Sequence, residues 1–213
     1  MHGFMCMGET GNHHLPMARH CTLAAALNGY PGEEHLWLDA DVAVASADID
    51  ELRRVQKVTG CGVVSGWYPR HDDGSPVGSP KLDGFHGDHC DMVEIGFGCA
   101  LIQSWVYDAL KPTTWMTKTE RGWCPAVFAS IPNDPRETAE DYHFSRRCEQ
   151  AGIRIVAATN VLLRHHDQKH EILPTFAELN RQRLVNALRP LTPAGSPCIR
   201  RAEPALISER TAL

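Results

Sequence analysis

Two carboxylates one residue apart close a short apolar run, Leu36-Trp37-Leu38-Asp39-Ala40-Asp41. In open α/β sheets, the edge where strands end is where ligands bind. A carboxylate pair there suits a hard cation such as Mg²⁺ or Mn²⁺, which takes oxygen ligands and is commonly shared with substrate phosphates. Along a strand, residues i and i+2 share a face. Asp39 and Asp41 are therefore expected to reach one ion or its waters. The bland alternative is that one Asp caps a turn while the other is solvated.

A second pair of acids stands in Thr138-Ala139-Glu140-Asp141. As a capping box, Thr138 would cap a helix and Asp141 would reach back to it. As chemistry, a carboxylate at a helix start that faces a cleft is a general base for a hydroxyl. Arg164-His165-His166-Asp167 ends another apolar run, and alternation over Val161, Leu163 and His165 aims His165 at the cleft. His13-His14 and His86-x-x-His89-Cys90 are further metal candidates, although a zinc site usually takes four ligands at tight spacing. Gly96-Phe97-Gly98 could admit a substrate close to the backbone or mark a bulge. Trp67, Trp115 and Trp123 could stack on a sugar ring or serve packing. Neither a G-x-x-x-x-G-K-[ST] nor a G-x-S-x-G motif is present, which argues against a P-loop NTPase and an α/β-hydrolase.

These residues need elements to hold them. Residues 2–7 read as a short strand, and Pro16 opens a helix closed by Asn28 and Gly29. HLWL (35–38) reads as a buried strand. Ser46 can cap a helix in which Ile49, Leu52, Val55 and Val58 recur. CGVVSGWY (61–68) is the next strand. Residues 69–92 read as a long loop with room for a small hairpin. MVEIGFGCALI (92–102) reads as a glycine-bearing strand, followed by a helix, QSWVYDAL. Residues 111–137 read as irregular. A helix from Thr138 to Gly152, two strand-like runs (IRIVAA and NVLLRHH) and a last helix from Pro174 complete the order. This alternation predicts an α/β fold with a mixed, mostly parallel sheet flanked by helices.

Taken in order, the stretches ARHCTLAAAL…EHLWLDADV, VVSGWYPR, IGFGCALIQSWVYDAL and AEDYHFSRRCEQAGIRIVAATNVLLRHH resemble a GT-A glycosyltransferase, of the kind grouped broadly with family 2. They run from about residue 17 to 166. The resemblance implies a GT-A-like, nucleotide-diphospho-sugar transferase domain over 1–189 and a flexible tail over 190–213. It implies that Asp39 and Asp41 hold Mn²⁺ or Mg²⁺ and, through it, the diphosphate of a UDP- or GDP-sugar. His165 is implied as a third metal ligand and Asp141 as the base on the acceptor hydroxyl, with Glu140 positioning it. Gly96 and Gly98 are implied to line the donor and acceptor pocket. Arg19 stands where the family often has an Arg-Asn pair near the nucleotide, with His20 in place of the Asn. Only 38 residues precede Asp39, so the nucleoside-binding part is expected to be shortened.

Composition bounds the alternatives. The chain has 213 residues, 43% apolar and 22% charged, enough for one domain with a sizeable core. It lacks the run of about 20 apolar residues that a membrane helix needs. A net charge of -5 disfavours a nucleic-acid partner. The eight cysteines form no C-x-x-C pair, and the first residues do not read as a secretory signal. Free, buried thiols and a cytoplasmic location are expected. The reading is thus an enzyme acting on a nucleotide-sugar and a carbohydrate or other hydroxyl acceptor. The alternatives are a non-catalytic carbohydrate-binding or scaffold remnant, and a zinc-stabilised protein using the His and Cys residues.

Overall fold

The computed structural model describes residues 15–29, 32–70, 76–132 and 139–166. The order is α1 (Leu15–Gly29), β1 (Glu34–Leu38), β2 (Val42–Ala43), α2 (Ser46–Thr59), β3 (Val63–Trp67), β4 (Ser79–Phe85), β5 (His89–Glu94), β6 (Cys99–Gln103) and α3 (Ser104–Leu110). A single 3₁₀ turn (Lys111–Thr113) follows, then β7 (Met116–Thr119), β8 (Gly122–Pro125), α4 (Glu140–Gln150), β9 (Ile155–Leu162) and β10 (Arg164–His165). The readings placed on residues 2–7, His13-His14, Thr138, the helix from Pro174 and the tail 190–213 lie outside the described residues.

Six strands form one sheet in the order β1-β6-β3-β9-β5-β4. The α/β class and the mixed sheet are as expected. The expectation of a mostly parallel sheet is corrected: β3–β9 is the one parallel pair, and the other four neighbouring pairs are antiparallel. β1, β3, β9 and β4 do share one direction. However, β6 enters between β1 and β3 from the opposite end, and β5 lies between β9 and β4. Alternating strands and helices predict a common direction, but they do not reveal which strand inserts between two others. A tight turn at 86–88 also forces β4 and β5 to be antiparallel.

The central strands are buried on both faces, which explains their unbroken apolar runs. Along β6, Ala100 and Ile102 face one core while Cys99 and Leu101 face the other, and β9 alternates in the same way. The first core takes Leu23 and Ala24 of α1, Val106, Tyr107 and Leu110 of α3, and Phe144 and Cys148 of α4. The second takes Leu52 and Val55 of α2. Val58 does not join them and is 66% exposed. Each three-residue step leaves a helix about 60° short of a full turn, so a run at i, i+3, i+6, i+9 drifts off its own face. Gln56 takes the inner position instead and reaches the Gly62 and Leu101 carbonyls.

Three local expectations are also revised. Residues 111–137 include the β7–β8 hairpin, missed because only one of its faces is covered, by α1, and it shows no long apolar run. The runs IRIVAA and NVLLRHH are largely one strand, β9, with β10 as a short extension. α2 begins after Ala45, whose N–H donates to the Asp48 carboxylate at 2.8 Å, so Ser46 is its first residue and not its cap. The six described cysteines are free and buried, as expected. Burial pushes the Cys90 and Cys124 thiols up to about 11, which keeps them protonated and unreactive.

Candidate active site

The carboxylates of the D-x-D part company immediately after β1. Asp39 donates its backbone N–H to the Gly98 carbonyl (3.1 Å), and its own carbonyl accepts Val42 N–H (3.2 Å), closing a turn. Asp41 therefore sits in a turn, not on a strand, and the shared-face argument does not apply. The Asp39 carboxylate meets Arg19 at 3.3 Å. The Asp41 carboxylate meets His165 Nε2 at 3.3 Å.

Arg19 is carried in from α1 and is nearly covered. Its Nε donates to buried Glu140 at 2.9 Å, and its guanidinium lies 5.1 Å from the centre of the Phe97 ring. One cation thus links the end of β1 to the start of α4. Its neighbour His20, where the resembled family has Asn, accepts the Phe128 N–H at 3.2 Å. Burial, aided by the nearby Arg147 charge, lowers its pKa to about 4, so it is a neutral acceptor that braces the core.

His165 is buried, and the alternation that singled it out holds: Val161 and Leu163 are buried with it. β10 pairs with β2 in the register His165 to Val42, and His166 N–H donates to the Asp41 carbonyl at 2.7 Å. This two-stranded ribbon delivers His165 to Asp41. His165 Nδ1 lies 2.8 Å from the Pro69 carbonyl. A carbonyl only accepts, so Nδ1 carries the hydrogen and Nε2 is turned to the Asp41 carboxylate. Two donors on one octahedral ion at about 2.1 Å stand about 3 Å apart, close to the observed 3.3 Å. Asp41 and His165 thus fit a shared divalent cation. Asp39 is turned to Arg19, and among the described residues no group of three or more His, Cys, Asp or Glu is assembled to hold a metal.

Asp141 opens α4 beside Glu140. Its Oδ1 accepts its neighbour's N–H, from Tyr142, at 2.8 Å, and its carbonyl accepts the Ser145 hydroxyl at 2.9 Å. The helix cap is Ala139, with no side-chain cap bond. Burial first, and the Glu140 charge second, raise its pKa to about 6, against the pull of Arg19. Asp39 is raised too, mainly by burial and less by Asp41 and Glu140, with Arg19 opposing. Glu140 is paired to Arg19, whereas among the described residues no cation forms an ion pair with Asp141.

Gly96 and Gly98 face a residue that sequence reasoning missed. A Cβ on Gly96 would collide with the Tyr68 hydroxyl, and one on Gly98 would lie 2.5 Å from Tyr68 Cζ. These glycines make room for Tyr68, whose hydroxyl accepts the Gly98 N–H at 2.9 Å. Burial, with smaller contributions from the Asp39 and Asp141 charges, pushes its phenol well above the ordinary value, so it stays neutral. Gly98→Ala should lower stability by about 1–3 kcal/mol through this overpacking, measured by urea denaturation.

The remaining candidates serve other ends. Trp67 is core, whereas Trp115 and Trp123 are about half exposed on and beside the β7–β8 hairpin. His89 pairs with Asp88 at 2.7 Å and His86 approaches Asp91 at 3.5 Å, while Arg54 and Arg154 hold the same two acids. Cys90 points into the first core. HGDHC therefore ties the β4–β5 hairpin to α2 and β9. No helix among the described residues is long and apolar enough to cross a membrane.

No protein-family model matches the chain, and no curated protein matches it. Among solved structures, the chain is similar to A197 from STIV, with 13% identity over 76% of this chain and 75% of that one and a TM-score of 0.48.

Proposed function

We propose that the chain is a metal-dependent glycosyltransferase of the GT-A kind, moving a sugar from a UDP- or GDP-sugar to the hydroxyl of a carbohydrate or other acceptor. The observation that carries this reading is the meeting of four separate stretches around one sheet edge. These are the Asp39–Asp41 turn, Gly98 with Tyr68, the His165 ribbon, and the acidic start of α4. Asp41 and His165 would hold Mn²⁺ or Mg²⁺, with Asp39 beside them. A cation so held supplies charge neutralisation for a nucleoside diphosphate leaving group. Asp141 would take the proton of the acceptor hydroxyl, a role that needs placement more than strong basicity. Glu140, through Arg19, would keep Asp141 facing the Asp39 side. The Gly96–Gly98 backbone would face the donor.

The test is calorimetry with UDP and GDP, with and without Mn²⁺. Mn²⁺ should raise the affinity for one nucleotide at least about tenfold, and Asp41→Ala should remove that gain. Wild-type protein that ignores both nucleotides with Mn²⁺ present sinks the reading. One observation favours a second reading, a non-catalytic carbohydrate-binding or scaffold protein: Arg19 already neutralises Asp39. Sugar binding without turnover, unchanged in Asp141→Asn, would select it.

A further inference from the structure

Tyr68 directly follows β3 and is 5% exposed. Its hydroxyl oxygen accepts the Gly98 N–H at 2.9 Å, and the Gly98 carbonyl in turn accepts the Asp39 N–H at 3.1 Å. Phenol and Asp39 are thus joined through one glycine. The opposite side of the site leans on the same residue. The Tyr68 and His165 rings meet edge to face, with centroids 5.5 Å apart and planes at 80°. The Tyr68 carbonyl accepts the Val77 N–H at 2.9 Å, and the next residue's carbonyl, Pro69, holds His165 Nδ1. Gly96 and Gly98 leave the volume that the phenol ring fills.

We propose that Tyr68 is the positioning residue of this site: its hydroxyl sets Asp39 through Gly98, and its ring, packed perpendicular to the imidazole, sets His165. A single rigid, uncharged side chain then fixes the spacing between the two sides of the D-x-D turn. A flexible or charged residue would do neither, because it would bring its own rotamers or its own charge beside the Asp39 and Asp141 carboxylates. The purpose assigned to the positioning rests on the glycosyltransferase reading, but the positioning itself is testable without any substrate.

Amide hydrogen exchange on the full chain, followed by NMR, reads it directly. In the wild type, the Gly98 and Asp39 amides should exchange slowly, and loop-like exchange at Gly98 overturns the proposal before any variant is made. Tyr68→Phe keeps the ring and removes the acceptor. Exchange at Gly98 and Asp39 should rise about tenfold, while Val64 and Val156 in the sheet keep their rates and the His165 ring resonances stay in place. Tyr68→Leu should, in addition, move the His165 ring resonances. An equal rise at every amide would mean general loosening and overturns the proposal, as does an unchanged Gly98. Where the wild type binds UDP or GDP with Mn²⁺, Tyr68→Phe should weaken that binding more than it lowers the melting temperature would explain. Absence of nucleotide binding in the wild type counts against the glycosyltransferase reading alone, and the exchange result stands apart from it.

Discussion

Asp141→Asn is expected to reduce sugar transfer by about 10²–10⁴-fold while making the folded protein more stable at neutral pH. Both effects follow from one environment. Burial and the adjacent Glu140 raise the Asp141 pKa from 3.8 to about 6. In catalysis, the ionised form is the base, so the rate should climb with pH through about 6 and level off above it. In folding, the sign is the reverse. A carboxyl whose folded pKa lies above its unfolded value favours the folded state fully only below the unfolded value, near 3.8. That advantage fades as pH rises through about 6, and above this the folded state bears the cost of a buried charge. The amide of Asn has no charge to bury. The variant should therefore gain on the order of 2 kcal/mol at pH 7 and little at pH 4. Thermal melts at the two pH values, beside turnover of a nucleotide-sugar, check both. A variant that transfers sugar at the wild-type rate removes Asp141 from the chemistry. Equal stability of the two proteins at pH 7 removes the raised pKa.

Arg19→Met should lower stability by about 3–5 kcal/mol, the usual cost of leaving a buried charge without its partner. The Arg19 and Glu140 side chains are 7% and 9% exposed and meet at 2.9 Å, which makes Glu140 the group left stranded. Asp39 also loses the cation that opposes its raised pKa. Much of the loss should return in Arg19→Met with Glu140→Leu, because an apolar pair of similar volume buries no charge. Urea denaturation of the two variants decides. A double variant no better than the single one would show that the guanidinium matters through its packing on Phe97 and not through charge. The same pair explains why α4 starts where it does: its first turn is held to the sheet edge by a residue 121 positions earlier.

Much of the frame was legible because local physics writes it into short spacings. The HLWL strand, the α2 helix and the β9 alternation each appear where the runs put them, although β1 is an edge strand that leaves Leu38 44% exposed and α2 turns Val58 off its apolar face. The alternation even selects His165 over His166 correctly, since burial on a strand depends only on parity. The β7–β8 hairpin was not legible, because a two-stranded element with one covered face leaves a weak pattern. Tyr68 left only an indirect trace. Two glycines flanking Phe97 signal that something bulky approaches the backbone. That the bulk is an aromatic thirty residues earlier depends on β3 pairing with β6.

The D-x-D shows where sequence stops. By itself the chain determined that two carboxylates end β1, that two acids begin α4, and that a histidine closes the β9–β10 run. Those are matters of residue type and local period. Tertiary structure alone decided that Asp39 belongs to Arg19 and Asp41 to His165. It also decided that Glu140 is ion-paired with Arg19 while burial raises the Asp141 pKa to about 6. Identical groups one or two residues apart acquire different chemistry because charge and desolvation act through space, and the neighbours that supply them arrive from distant parts of the chain.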